Sequence, residues 1–338
     1  MIQEAFEFLQ SKLHAVPQFD YPVTSRIHAL HSFFTASGKP CFVKREDELG
    51  FGISGSKFRK YRTLIPYLMQ QGIQEACVIG GAFSNHILSL VQLLIENGIQ
   101  PTLFLKGPAP TANRGNFLFT QLLVPPSAIH WIAKNEWQDV HDDVASYAQK
   151  RPNACVIPEG ATLFAAFLGA LTLPLDITRN EKDVQFTFDH LFLDVGTGYS
   201  AAALLLGFAF FKKQTMCHLM LLADTSEAFM RTLRKLHTEF EVWLGTPCPF
   251  PTQFRFIEST LLRSFGSTNK KLFECIITYA RAEGFFLDPI YSAKLFYQAK
   301  ELLQVTREID GKVLFVHSGG ALSLSGFQEK FMQILHSN

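Results

Sequence analysis

Short runs that are apolar at every position alternate along this chain with longer segments whose apolar residues recur at helical spacing. "ACVIGG" (76–81) precedes "SNHILSLVQLLIENG" (84–98), and "PTLFLKG" (101–107) precedes "NRGNFLFTQLL" (113–123). The alternation continues with "AIHWI" (128–132), "DVHDDVASYAQK" (139–150) and "ACVIPEG" (154–160). Later come "HLFLDVG" (190–196), "YSAAALLLGFAFF" (199–211), "CHLMLLA" (217–223) and "KVLFVHSGG" (312–320). Strands without a polar face, each followed by a helix, predict mostly parallel sheets covered on both sides. The stretch "ATLFAAFLGALTLPL" (161–175) is too short for a membrane span and reads as a buried helix.

Composition narrows the class. With 338 residues the chain is long for one core and predicts two domains. It is 47% apolar and 18% charged, with 33 phenylalanines, as expected of a well-buried globular enzyme. A net charge of +1 provides no field that would favour nucleic acid or an anionic membrane. The six cysteines (41, 77, 155, 217, 248 and 275) show neither C-x-x-C nor His/Cys metal spacing, so no metal is expected. The opening "MIQEAFEFLQ" lacks a basic flank and apolar core, and with free thiols this predicts a cytoplasmic protein.

Ligands of such sheets bind where strands end and loops turn into helices. Four loops carry unusual residues. "GISGSKFRKY" (52–61) brings Lys57 to a loop-to-helix junction; Lys60 and Arg62 read as a solvated helix face, and Arg59 fits either role. "GGAFSNH" (80–86) sets Ser84, Asn85 and His86 at a helix start, where one hydroxyl or amide is expected as a cap. "DVGTGYSAA" (194–202) is either an ordinary tight turn or a site for a single phosphate. It lacks the third glycine of a dinucleotide site, having Ala201 there, and has no P-loop lysine. "FLDPIYSAK" (286–294) places Tyr291 at a helix start, in the core or in a site, and "FVHSGG" (315–320) ends another strand.

Taken in order, "VKREDELG" with "GSKFRK", "GGAFSNH", "IPEG", "GTGYS", "LDPIYSAK" and "HSGG" resemble the D-cysteine desulfhydrase and 1-aminocyclopropane-1-carboxylate (ACC) deaminase family of pyridoxal-phosphate enzymes. The resemblance runs from residue 43 to 320. It implies the tryptophan-synthase-β-like α/β fold with two three-layer αβα domains. The smaller domain, 51–159, would be inserted into a larger cofactor-binding one made of 1–50 and 160–338. It implies pyridoxal 5′-phosphate as cofactor, a small amino acid as substrate and a homodimer. Lys57 matches the lysine that holds the cofactor covalently, and Asn85 the asparagine that bonds the ring oxygen. Gly196, Thr197, Gly198, Tyr199 and Ser200 match the phosphate cup. Ser84 and His86 match residues near the substrate carboxylate, and Tyr291 the tyrosine against the ring.

Two positions choose within the family. ACC deaminases have a glutamate after that tyrosine and a leucine after the histidine of the last loop. Here these positions are Ser292 and Ser318, as in the desulfhydrases. Hydroxyls there leave the ring nitrogen neutral, which suits loss of a good leaving group better than ring opening. The expected reaction is α,β-elimination from a small D-amino acid such as D-cysteine, giving pyruvate, ammonia and sulfide. Alternatives are an ACC or other D-amino-acid deaminase, and a non-catalytic homologue with a binding role. The departures are Phe265 and Thr268 in place of a tyrosine and a proline, Leu88 for an arginine, Tyr199 for a third glycine, and "ATLFAAF" after "IPEG".

Overall fold

A computed structural model describes residues 2–21, 23–31, 38–53, 55–258, 266–306 and 308–336. The apolar runs form ten strands among these residues: β1 (Ile27–Ala29), β2 (Cys41–Lys44), β3 (Glu75–Gly80), β4 (Gln100–Lys106), β5 (Ile129–Ile132), β6 (Ala154–Ile157), β7 (His190–Val195), β8 (Met216–Leu221), β9 (Phe254–Ile257) and β10 (Val313–Val316). They assemble into two sheets. One has the order β1-β2-β10-β7-β8-β9 and the other β5-β4-β3-β6. Every pairing is parallel except that of β1 with β2.

All four strands of the smaller sheet come from 75–157, and the six of the larger come from either side of that segment. Both faces of the larger sheet are covered. Leu191, Leu193 and Val195 of β7 join one apolar cluster, while Phe192 joins the opposite one. The smaller sheet behaves alike: Ala76 and Val78 of β3 face one cluster, Cys77 and Ile79 the other. This double coverage is why these strands read as continuous apolar runs.

The helix expected over 161–175 is divided. Residues Glu159–Ala161 make a 3-10 turn, followed by helices Phe164–Ala170 and Thr172–Val184. Pro174 lies in the first turn of the second helix, where its missing N–H would have had no helical acceptor. Close packing fixes this junction. A Cβ on Gly169 would lie 2.1 Å from the Arg59 carbonyl oxygen, and one on Gly207 would lie 2.4 Å from Pro174 Cγ. Among the described residues no helix is long and apolar enough to cross a membrane, and no cluster of His, Cys, Asp and Glu could hold a metal ion. All six cysteines are free.

Candidate active site

Lys57 is the first residue of helix Lys57–Gln70. The loop after β10 is laid directly on the turn before it: Ser56 N donates to Ser318 O at 3.0 Å. A Cβ on Gly55 (φ +54°) would lie 2.2 Å from that same oxygen, so only glycine permits this approach. Lys57 Nζ is 5.7 Å from the centroid of the Tyr291 ring. Burial lowers its pKa, with Asp194 and Asp288 acting the other way. Loss of water therefore favours the neutral amine.

The other cations of this helix differ from expectation. Lys60 is not on a solvated face. It is 4% exposed and its ammonium donates to the Gly160 carbonyl. Burial, aided by repulsion from Lys57, brings it down to about 7. Arg62 is half-buried, its Nε donating to Phe19 O at 2.6 Å. Arg59 is 1% exposed and structural: its guanidinium bonds Glu46 and Asp176, which are themselves buried. The helix has two covered sides, one against Phe164–Ala170 and one against the smaller sheet's core, so its polar residues are enclosed too.

The 80–86 loop divides its polar residues among tasks. Ser84 caps helix Asn85–Glu96, its Oγ accepting from His86 N at 3.1 Å. Asn85 Oδ1 accepts from Asn116 Nδ2 at 2.6 Å, and its Nδ2 faces Gly320, where a Cβ would come within 2.5 Å. His86 is buried; Nδ1 pairs with the Tyr61 hydroxyl at 2.8 Å, while Nε2 is buried with no partner. Burial, reinforced by Lys60 and Lys57, holds His86 well below the usual range, so it is neutral.

Beyond β7, Gly198 (φ +85°) turns the chain into helix Tyr199–Phe210. Gly160 (φ +69°) approaches this turn so closely that a Cβ would lie 2.3 Å from Thr197 Oγ1. The Gly196 backbone faces the Tyr291 ring, with 3.5 Å from a built Cβ to Cε1. Tyr199 is 5% exposed, and its ring belongs to the larger sheet's apolar core. It brings a backbone N–H to the turn and keeps its phenol elsewhere. Ser200 and Thr197 are half-buried.

Ser292, one of the two hydroxyl positions of the resemblance, turns its side chain to Asp288. It is fully buried, accepts from Asp288 N at 2.7 Å and donates to Asp288 Oδ1 at 2.8 Å. Asp288 also accepts from the backbone N–H groups of Ile290, Tyr291 and Ser292 and so fixes the turn that presents Tyr291. Ser318 Oγ donates to Asp194 Oδ2 at 3.1 Å, and Asp194 Oδ1 is buried with no partner. Burial and the nearby Asp288 push Asp194 up to about 7. Sequence reasoning missed Asp194. Its signal was a lone carboxylate at the end of the apolar strand "HLFLDV".

Of the departures, Leu88 is buried and Ala161 takes a left-handed φ of 51° in place of a glycine; Phe265 lies outside the described residues. A surface cleft of about 620 Å³, lined in part by Tyr21, Ser25, Glu48, Phe58 and Glu96, contains none of the residues gathered around Lys57.

The family model described as "Pyridoxal-phosphate dependent enzyme" matches residues 22–319, which run from before Lys57 to beyond Ser318. The chain belongs to this family. Members with related sequences include a 1-aminocyclopropane-1-carboxylate deaminase of Rhizobium radiobacter, 26% identical over 85% of this chain and 88% of that protein. A D-cysteine desulfhydrase of Yersinia enterocolitica is 23% identical over 94% of this chain and 98% of that protein. A crystal structure of an ACC deaminase homologue superposes with a TM-score of 0.84 at 22% identity, covering 96% of this chain and 98% of that one, and shows the same fold.

The pocket of this pyridoxal-phosphate-dependent enzyme suits its cofactor. An amine whose charge burial disfavours suits an aldehyde, and the 196–200 turn forms the N-terminus of helix Tyr199–Phe210, which suits a phosphate. His86 Nε2 and Asp194 Oδ1 are buried polar atoms without a protein partner.

Proposed function

We propose that this chain is a carbon–sulfur lyase that acts by α,β-elimination on a small amino acid, in the manner of a D-cysteine desulfhydrase. The observation that carries the reading is the Lys57 amine: it stands at a helix start 5.7 Å from the centroid of the Tyr291 ring, and burial lowers its pKa against the pull of Asp194 and Asp288. In this reading Lys57 holds the cofactor covalently, and the backbone N–H groups of Gly196 to Ser200 hold its phosphate. Asn85 Nδ2 meets the ring oxygen. Ser84, Asn85 and His86 bind the substrate carboxylate through the helix start they share. Residues 51–159 form the smaller domain that carries Ser84 to His86, and the remainder carries the phosphate turn and Tyr291.

Bound pyridoxal phosphate supplies an electron sink for charge developing at the substrate α-carbon. The protein supplies the rest. Lys57 Nζ takes the α-proton, for which a neutral amine is required. The Tyr291 ring limits how far that amine can move, and its buried hydroxyl, raised above the ordinary phenol range, stays protonated. The β-thiolate departs and is protonated to hydrogen sulfide, and hydrolysis of the unsaturated amine gives pyruvate and ammonia.

The test is a substrate panel of D-cysteine, D-serine, β-chloro-D-alanine and ACC, with pyruvate, 2-oxobutyrate and sulfide measured. Borohydride trapping with peptide mass analysis is run beside it. We expect a trapped cofactor on Lys57, equal pyruvate and sulfide from D-cysteine, and no turnover in Lys57→Ala. Formation of 2-oxobutyrate from ACC without sulfide from D-cysteine would replace elimination by ring opening. Trapping without any product would leave a binding role.

A further inference from the structure

Once Lys57, Asn85 and the 196–200 turn have their tasks, one polar pair in the pocket is left. Ser318 lies just past the end of β10, and Asp194 near the end of the adjacent parallel strand β7. Ser318 Oγ donates to Asp194 Oδ2 at 3.1 Å, and Asp194 Oδ1 is buried without a partner. The neighbouring carboxylate, Asp288, accepts from three backbone N–H groups and from Ser292, so it is committed to the Tyr291 turn. Asp194 is not committed in this way.

Pyridoxal phosphate presents a phosphate, an aldehyde, a ring oxygen and a basic ring nitrogen. The first three go to the residues already named. We propose that Asp194 and Ser318 form a short proton relay that meets the ring nitrogen and keeps it protonated. The Asp194 carboxyl passes its proton to Ser318 Oγ as the Ser318 hydroxyl gives its own to the nitrogen. Ser318 Oγ then accepts from the ring N–H and donates to the Asp194 carboxylate. One proton is relayed, a carboxyl becomes a carboxylate as a neutral nitrogen becomes cationic, and the net charge of the pocket does not change. Asp194 acts through Ser318 and is a positioning residue.

The inference rests on the pyridoxal-phosphate reading above, and it reverses the expectation drawn from two hydroxyls. Ser292 is turned to Asp288 and has no proton to offer the ring. The Ser318 hydroxyl is backed by a carboxylate. Burial and Asp288 raise Asp194 to about 7, with Ser318 and Lys57 opposing, so near neutrality it has a proton to give. A protonated ring is the stronger electron sink.

The experiment loads the full-length protein with cofactor ¹⁵N-labelled at the ring nitrogen and reads its resonance, with borohydride trapping run in parallel. Wild type is expected at the shift of a protonated ring. Asp194→Asn and Ser318→Ala are expected at that of a neutral ring while still trapped on Lys57, and Ser318→Thr, which keeps the hydroxyl, should retain the protonated shift. A neutral shift in trapped wild-type protein overturns the relay alone, whether or not the variants fold. So does a wild-type shift that persists in both Asp194→Asn and Ser318→Ala. Failure to trap cofactor in wild type sinks the underlying reading and the relay with it.

Discussion

Arg59→Met tests the account of the buried charges beside the site. The Arg59 guanidinium donates to Glu46 Oε2 at 2.5 Å and Oε1 at 2.7 Å, to Asp176 Oδ2 at 2.6 Å, to Val23 O at 2.6 Å and to Thr172 Oγ1 at 3.1 Å. Lys44 joins the cluster through Asp176. All four charged residues are at most 1% exposed, so two cations balance two carboxylates away from water. Methionine leaves two buried carboxylates with one cation. Breaking a buried pair in this way costs about 3–5 kcal/mol, against a total stability of about 5–15 kcal/mol. The protein should still fold, with a much lower urea midpoint by circular dichroism.

Two controls sharpen this prediction. Arg59→Met/Glu46→Gln restores charge balance and should be at least about 2 kcal/mol more stable than the sum of the single losses. The second control is pH. Burial pushes Glu46 up, but Arg59 and Lys44 outweigh it and hold it below the ordinary carboxylate range. A depressed carboxylate contributes stability above its unfolded pKa and loses it as pH falls through the folded value. The gap between wild type and Arg59→Met should therefore be widest near neutrality and narrow in acid. A single-mutant loss below about 1 kcal/mol, or strict additivity in the double mutant, would refute the reasoning.

Three further outcomes follow from other parts of the fold. Gly169→Ala sets a methyl group 2.1 Å from the Arg59 carbonyl and must push helix 164–170 off the Lys57 helix; a loss of about 1–3 kcal/mol should appear as a lower Tm. Gln185, exposed and left-handed (φ 60°) at the end of helix 172–184, should gain roughly 0.5–1 kcal/mol on change to glycine, read by urea unfolding. In cofactor-free protein Asp194 is raised from 3.8 to about 7, so its contribution is complete below the lower value and is lost as pH rises through the upper. Urea midpoints of Asp194→Asn should accordingly fall less with pH than wild type across that window.

Much of the fold was legible because its signals are local. "ACVIGG" and "HLFLDVG" are apolar throughout since both faces of each sheet are covered, and a run of that kind has few alternatives. The glycine turns were legible for the same reason. The burial of two cations with distant partners was not: in the sequence Arg59 fits either role, and Lys60 reads as solvated. Arg59 looks like any helix-surface cation until Glu46, 13 residues back, and Asp176, 117 residues on, meet it. Lys60 finds its acceptor at Gly160, a separation of 100 residues. Ser292 shows a different limit. Its position beside Tyr291 was right, but the direction of its hydroxyl depends on Asp288, whose cap turns it inward.

Asp288 and Asp194 both act on the charge of Lys57, yet they do different work because their hydrogen bonds differ. Asp288 accepts from three N–H groups and a hydroxyl, a donor set that fixes the Tyr291 turn. Asp194 has a single hydroxyl donor and an unpartnered oxygen, and burial and the Asp288 neighbour outweigh Ser318 and Lys57 in favouring a retained proton. A pocket that needs a neutral amine is poorly served by two bare carboxylates, since both would draw Lys57 back to its cation. Neutralising Asp194 while Asp288 is occupied by its turn removes that pull. In the cofactor-free protein the two acids thus support an uncharged Lys57 together, one occupied by its turn and the other holding a proton.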